Sequence, residues 1–174
     1  MARRTDPEKT QQTRDDRRIR LVLCADASFG YSFNHRRQSF DREMLKHLKE
    51  LLQDERDRIF VNQYTERRLL KEGFFTDTEA EKRQENPALP GNSFLKEASS
   101  AGGTAWAENV SLQGWYHLID EIDLYRWDKR YPADLYFSET LLKDFELCEE
   151  TCFRGYSHDE ILFQRYIMKA AAQT

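Results

Sequence analysis

The chain has 174 residues, of which 39% are apolar, 33% charged and 13% aromatic, and its formal net charge is −4. This length favours one domain, at roughly 100–200 residues per domain. The negative charge gives no general argument for nucleic-acid binding, no apolar run approaches the roughly 18 residues of a membrane span, and the charged N-terminus lacks the apolar stretch of a signal peptide. We therefore expect a cytoplasmic protein without a membrane partner; nucleic acid as a partner and the oligomeric state stay open.

The N-terminal segment differs in composition from the rest of the chain. Residues 1–20 carry seven basic and four acidic side chains and almost nothing apolar. Such a segment cannot bury enough apolar surface to offset its loss of conformational freedom. We expect a disordered charged arm over residues 1–17 and a single α/β domain over residues 18–174.

The first half of the domain predicts a strand, a helix and a second strand. The apolar, β-prone run Ile19–Ala25 is typical of a strand buried on both faces. A helix follows, with Ser39 as its predicted N-cap. The segment Arg58–Gln63 predicts the second strand, and Thr65–Lys71 a short helix. The apolar stripe of the first helix consists of Met44, Leu45, Leu48, Leu51 and Leu52.

The middle of the chain breaks this pattern. Residues 73–103 are rich in turn-forming residues and predict a long loop, with at most a short helix over Ser93–Ala98. The segments Thr104–Leu112 and Trp115–Trp127 predict strands, the second with one buried and one wet face.

The C-terminal part predicts one more strand and a final helix. Phe145–Phe153 has strand-like alternation, although Glu149 interrupts it. Ser157 and Glu160 have the spacing of a capping box, which predicts a helix over Ile161–Ala172. The fold class is α/β with α+β character: a small mixed sheet that starts with a βαβ unit, with helices packed on it.

The loop after the first strand is the best candidate for an anion site. It follows the carboxyl end of a central strand, where open α/β sheets place their ligands, and it leads into a helix N-terminus, which favours anions. Alternatively, its arginines pair with nearby carboxylates and its polar residues shape the turn. The candidate anion-binding residues are Asn34, Arg36, Arg37, Ser39 and Arg42.

Four acidic residues are candidate magnesium ligands: Asp26, Glu108, Glu121 and Asp123. Oxygen ligands on neighbouring strands suit Mg²⁺, which often bridges to substrate phosphates. Solvated or arginine-paired carboxylates are the alternative. Asp26 and Glu108, together with His158 at the predicted start of the last helix, are also candidate catalytic residues, although a histidine at a helix start is often only polar surface.

An aromatic and ionic corner interleaves rings with charges. Its members are Tyr125, Arg126, Trp127, Arg130, Tyr131 and Asp134. This pattern suits a nucleotide or single-stranded nucleic acid, and it suits an ordered structural corner equally well.

Five segments together resemble a family of small uncharacterised bacterial cytosolic proteins, some of which carry a ribonuclease label. They are Phe33–Arg42, Phe60–Tyr64, Ala107–Val110, Leu124–Asp134 and Gly155–Ile161. The resemblance supplies no mechanism, but it implies that these segments belong to one site.

The sequence leaves two main functions open. The first is a phosphate- or nucleotide-handling enzyme, with metal-assisted hydrolysis of a phosphodiester as the specific hypothesis. The second is a non-catalytic module that binds an anionic small molecule, a nucleotide or a protein through the basic crevice or the aromatic segment Tyr125–Tyr136.

Overall fold

The computed structural model describes residues 19–53 and 58–170, and the predicted N-terminal arm lies outside these residues. Nine strands and four helices run through the described residues. The helices are α1 Arg42–Leu51, α2 Gln63–Lys71, α3 Asp77–Glu85 and α4 Ser93–Ala101, and two short 3₁₀ turns cover Tyr116–Leu118 and Glu139–Asp144. The strands are β1 Ile19–Ala25, β2 Gly30–Phe33, β3 Arg36–Arg37, β4 Ile59–Phe60, β5 Thr104–Trp106, β6 Ile119–Trp127, β7 Leu135–Tyr136, β8 Phe145–Phe153 and β9 Ile161–Met168.

The main sheet has six strands in the order β4-β5-β1-β6-β9-β8. The first four strands are mutually parallel, and β9 and β8 are antiparallel to their neighbours. A second, three-stranded sheet has the order β3-β2-β7. The predicted mixed α/β domain is thus confirmed, with β1 near the centre of the main sheet. The β1-α1-β4 unit has parallel strands, but β5 lies between them.

Both faces of the main sheet are buried at its central strands β1 and β6, whereas the edge strand β8 is mostly exposed. On one face, Val22 and Tyr125 pack against Leu48 of α1 and Leu69 of α2. The other face packs against α4. Burial on both faces explains why β1 is apolar apart from Arg20, which pairs with Asp123.

The stripe of α1 is confirmed, but its N-cap is Asp41 and not Ser39. Met44, Leu45 and Leu48 are buried against the sheet. The Asp41 carboxylate accepts hydrogen bonds from the N–H groups of Glu43 and Met44, which satisfies backbone donors that the helix itself leaves free.

Residues 73–103 differ from the predicted long loop, because they contain α3 and α4. Helix α3 buries none of its residues, so its sequence carries no apolar stripe to reveal it. Helix α4 buries three residues and ends at Gly102, whose φ of 67° suits glycine.

The predicted C-terminal helix is wrong, because Ile161–Met168 is strand β9. It pairs with β6 on one side and with β8 on the other. Ser157 does not cap a helix; its N–H and hydroxyl bind the Asp41 carboxylate. Strand β8 has its predicted bounds, and the interruption at Glu149 coincides with an irregularity in the pairing between Leu147 and Glu149.

The other predicted strands are shortened in the structure. Only Ile59–Phe60 and Thr104–Trp106 pair as strands in their regions, and a 3₁₀ turn precedes β6. The predicted wet face of β6 is covered at Asp123, which is fully buried. Within residues 19–53 and 58–170, no helix has the length and apolar character to cross a membrane.

Candidate functional site

The candidate site lies where the parallel strands end. The segments after β1, β5 and β6 meet at this edge of the sheet, because the three strands are parallel neighbours. Ligand crevices of open α/β sheets lie at this edge.

An open cleft of about 300 Å³ lies between the segment after β1 and the segment after β6. Ligand pockets in proteins span roughly 300–1,000 Å³, so its size is at the lower end of that range. The β2–β3 hairpin forms one wall, and Tyr131 and Pro132 form the other. The lining residues are Phe33, Asn34, Arg36, Arg37, Gln38, Tyr131 and Pro132.

The hairpin wall is shaped by a tight turn at Asn34 and His35. Both residues have positive φ, 50° and 61°, as the two central residues of a type I′ turn do. The Asn34 N–H also donates a hydrogen bond to Asp134. Asn34 therefore has the turn-shaping role that was the alternative to anion binding.

Arg37 and Glu108 form a buried ion pair at the inner end of the cleft. The guanidinium donates from Nε to Oε2 at 2.7 Å and from Nη2 to Oε1 at 3.0 Å, and it stacks on the Tyr64 ring. Burial opposes the charge of Arg37, but the hydrogen bonds to Glu108 raise its pKa overall. Because Glu108 already engages Nε and Nη2, Arg37 is a wall residue of the cleft and not a free ligand for an anion.

Asp26 is buried and fully hydrogen-bonded by neutral donors. Its Oδ1 accepts from the N–H groups of Ser28 and Gly30, and its Oδ2 accepts from Gln38 Nε2 and the Tyr131 N–H. No arginine pairs with Asp26 among the described residues, so neither the predicted metal role nor the alternative of an arginine partner describes it. Asp26 joins the two walls of the cleft and has a structural role.

Gln38 is left with one unused acceptor. Its Nε2 donates to Asp26 at 3.0 Å, while its buried Oε1 has no hydrogen-bond partner in the part of the chain that the structure describes. A buried acceptor without a partner is costly unless water or a ligand supplies a donor.

A second network joins the N-cap of α1 to the turn between β8 and β9. His158 Nδ1 lies 2.9 Å from Asp41 Oδ2, and His158 Nε2 lies 3.1 Å from Ser39 Oγ and 2.9 Å from the Tyr131 hydroxyl. The imidazole is 3% exposed and stacks on Trp127. Burial raises the pKa of the Asp41 carboxyl group, but the donors from Tyr156, His158, Ser157 and Glu43 outweigh this and hold the pKa well below its usual value.

Asp41 is the residue that sequence reasoning missed. His158 is 117 positions away from it in the chain, so only the tertiary fold brings them together. The available local signal was an aspartate directly before a strongly amphipathic helix, which is a good N-cap.

A small internal cavity of about 10 Å³ separates this network from the ion pair. This volume is about that of one water-sized probe. Arg37 and Gln38 line both the cavity and the open cleft. The other lining residues of the cavity are Cys24, Tyr31, Ser39, Ala107, Glu108 and Trp127.

The predicted anion-binding cluster does not assemble as one site. Arg37 pairs with Glu108, and Arg42 lies 3.5 Å from Glu72 and over the Tyr156 ring. The N-terminus of α1 is occupied by the Asp41 carboxylate, so its N–H groups are not free for an anion. Arg36 is exposed in the cleft and forms no ion pair with any described residue.

The four candidate magnesium ligands are also separated. Asp123 pairs with Arg20 at 2.9 Å and with Arg165 at 2.8 Å, and Glu121 faces the same two arginines. These arginines neutralise the β6 carboxylates. Pairing with arginine was the alternative to magnesium binding that the sequence left open. Across residues 19–53 and 58–170, no three His, Cys, Asp or Glu side chains are grouped so that they could hold a metal ion.

The aromatic and ionic corner is an ordered structural element. Tyr125 and Trp127 are buried, and the Tyr125 hydroxyl lies 2.7 Å from His47 Nδ1. Arg126 donates to the Ala27 carbonyl and stacks on Phe29.

The rest of this corner offers no aromatic docking surface. Asp134 holds the hairpin turn through the Asn34 N–H, Tyr131 is half-buried, and Arg130 is exposed. Trp127 is 3% exposed, so the rings of this corner form no exposed surface; in the longer segment Tyr125–Tyr136 the exposed ring is Tyr136, at 55%.

A scan of protein-family models and a search of curated proteins find no match to this chain. Among solved structures, the chain is similar to dihydrofolate reductase from Enterococcus faecalis, complexed with NADP(H) and RAB-propyl. The TM-score is 0.57 at 10% sequence identity, and the alignment covers 87% of this chain and 96% of that chain. The predicted metal-assisted phosphodiester hydrolase is wrong, because the fold is that of a reductase complexed with NADP(H) and the residues assigned to hydrolysis are paired elsewhere. At this level of identity, the likeness establishes that the chain shares the mixed α/β fold of that reductase.

Proposed function

We propose that the open cleft binds a nucleotide cofactor of the NADP(H) class. The observation that carries the proposal is the cleft itself: about 300 Å³ at the carboxyl edge of the sheet, in a fold shared with a reductase complexed with NADP(H). A cleft of this size accommodates one half of a dinucleotide. When bound, such a cofactor supplies a hydride.

Gln38 supports a ligand with an N–H donor. Its unpaired Oε1 is a buried acceptor in a residue that lines the cleft. The amide group of a nicotinamide or the amino group of an adenine has the matching donor. Because Oε1 is fully buried, such a bond requires a rotation of the Gln38 side chain toward the cleft, and it would satisfy an acceptor that has no partner among the described residues.

Phe33 and Arg36 support a ligand with a flat ring and a negative charge. Phe33 is a large apolar side chain that is 48% exposed in the wall of the cleft. Rings of bases and nicotinamides stack on such side chains. The Arg36 guanidinium forms no ion pair within residues 19–53 and 58–170 and has donors for a phosphate, whereas Arg37 is already occupied by Glu108.

The experiment is a calorimetric titration of the purified chain with NADPH and, separately, with NADH. We expect saturable binding with one site per chain. A charge-assisted hydrogen bond contributes roughly 1.5–3 kcal/mol, so Arg36→Ala should weaken binding by roughly ten- to a hundredfold.

Lys49→Ala is the matched control, because it removes one exposed positive charge from the last turn of α1. Helix α1 begins at the edge with the cleft and runs away from it, so this control should bind as the unmodified chain does. Failure of both cofactors to bind at millimolar concentration would refute the proposal. If Arg36→Ala and Lys49→Ala lost affinity for the cofactor equally, the loss would come from the change in net charge and not from a contact in the cleft.

A further inference from the structure

We propose that Ser39, His158 and Asp41 form a nucleophilic triad that takes small carboxylic esters or thioesters. The proposal rests on the second network and is independent of cofactor binding in the cleft. Its three members come from the segment before α1, from the N-cap of α1 and from the turn between β8 and β9.

The distances match the roles of such a triad. Asp41 Oδ2 lies 2.9 Å from His158 Nδ1, and His158 Nε2 lies 3.1 Å from Ser39 Oγ. A nucleophile and a base within about 2.6–3.2 Å, with the base oriented by a third group, is the recognised arrangement. The order of the residues in the chain does not matter for this geometry.

Asp41 fixes which nitrogen of His158 carries the proton. The Asp41 carboxylate accepts from the N–H groups of Tyr156 and Ser157 and from its own helix, so it is held as an acceptor. Nδ1 of the imidazole must therefore donate to it. The lone pair of Nε2 then faces Ser39, which is the state that a general base requires.

A small cavity with room for one water molecule lies beside Ser39. Ser39 is half-buried, and it lines this cavity together with Arg37 and Glu108. The cavity has about the volume of one water-sized probe, which suits the water of the second half-reaction. Arg37 and Glu108 form an ion pair there, so the guanidinium supplies no free positive charge to the acyl oxygen.

The reaction needs water as its only other reactant. Ser39 Oγ forms a bond to the acyl carbon while its proton passes to His158 Nε2. The bond between the acyl carbon and the leaving oxygen or sulfur then breaks, the imidazolium returns the proton to the leaving alkoxide or thiolate, and the acyl group stays on Ser39. Water then attacks the acyl carbon by the same proton path, which releases the carboxylic acid and restores the serine hydroxyl.

Tyr131 competes with Ser39 for the same base. Its hydroxyl lies 2.9 Å from His158 Nε2, slightly closer than Ser39 Oγ. If this network only tethers the β8–β9 turn to α1, Ser39 has no reason to be more reactive than a surface serine. The two roles therefore predict different chemistry at one oxygen atom.

The test uses p-nitrophenyl acetate and a small fluorophosphonate with the unmodified chain. We expect release of p-nitrophenol and a fluorophosphonate adduct on Ser39, located by peptide mass spectrometry. General-base assistance contributes roughly 10²–10⁴-fold, so labelling should be at least about a hundredfold faster than in the chain unfolded by urea. Ser39→Ala should abolish both signals.

Two comparisons keep the test decisive. Ser28 is an exposed serine outside the network and serves as the internal control, since it should stay unlabelled. Tyr131→Phe removes the competing hydroxyl, and labelling of Ser39 should continue at an equal or higher rate. An adduct on Tyr131, equal labelling of Ser28 and Ser39, or no adduct in the folded chain would overturn the proposal.

Discussion

Asp41→Ala is expected to reduce the free energy of unfolding by about 3–5 kcal/mol at pH 7. Removing the N-cap of a helix costs about 1 kcal/mol. The substitution also leaves the N–H groups of Tyr156 and Ser157 and the Nδ1–H of His158 without their acceptor. Each buried donor without a partner costs about 1–3 kcal/mol, and water entering the new space recovers part of that loss.

The effect of Asp41 should depend on pH in a defined direction. Its pKa in the folded chain lies well below the value of about 3.9 in an unfolded chain. The ionised carboxylate therefore makes its full contribution to the free energy of unfolding above about pH 5. This contribution falls by about 1.4 kcal/mol per pH unit as the pH drops below about 4. The difference in unfolding free energy between the unmodified chain and Asp41→Ala should shrink accordingly.

Urea denaturation, monitored by circular dichroism between pH 7 and pH 3, measures the loss of unfolding free energy in Asp41→Ala and its dependence on pH. Asp128→Ala is the control, because this exposed carboxylate accepts one N–H, from Glu160. It should cost less than about 1 kcal/mol. A loss below about 1 kcal/mol for Asp41→Ala, or a difference that stays constant down to pH 3, would contradict the stabilising role of the Asp41 carboxylate.

Three further substitutions test the packing around the site by the same denaturation assay. Leu48→Ala should cost about 2–5 kcal/mol, because Leu48 is fully buried at the centre of the α1 stripe; an effect within about 0.5 kcal/mol would contradict its place in the core. Gly155→Ala should destabilise by more than about 2 kcal/mol, because a Cβ there would lie 2.6 Å from Asp41 Oδ2 and 2.7 Å from the His158 carbonyl oxygen; an unchanged midpoint would show that this turn can shift. Glu108→Gln should cost about 3–5 kcal/mol, because it leaves the Arg37 charge buried without its counter-ion, and a loss below about 1 kcal/mol would mean that solvent reaches this arginine.

The sequence predicted those helices and strands whose buried residues produce a regular spacing of apolar side chains along the chain. Strand β1 is apolar apart from Arg20, and helix α1 has an apolar stripe; both are buried in the core, so the prediction and the structure agree. Helix α3 escaped prediction because it buries no side chain. Strand β9 was misread because Ser157 and Glu160 match a local helix signal, while pairing with β6 and β8 decides the conformation.

The candidate site was only partly predictable for a related reason. The sequence located the segment after β1, because carboxyl ends of central strands are ligand sites in general. It could not assign partners. Arg37 meets Glu108 across 71 residues, and Asp41 meets His158 across 117. Such pairings depend on the tertiary fold, and no local spacing encodes them.

The most direct test of the proposed cofactor cleft is a map of amide chemical shifts during titration with NADPH. We expect the largest perturbations on Phe33, Arg36, Gln38 and Tyr131, which line the cleft. These perturbations should saturate with one affinity, and the amide chemical shifts of Lys46 and Lys49 on the exposed side of α1 should not change. Perturbations confined to residues outside the cleft, or none at millimolar NADPH, would contradict the proposed cofactor cleft.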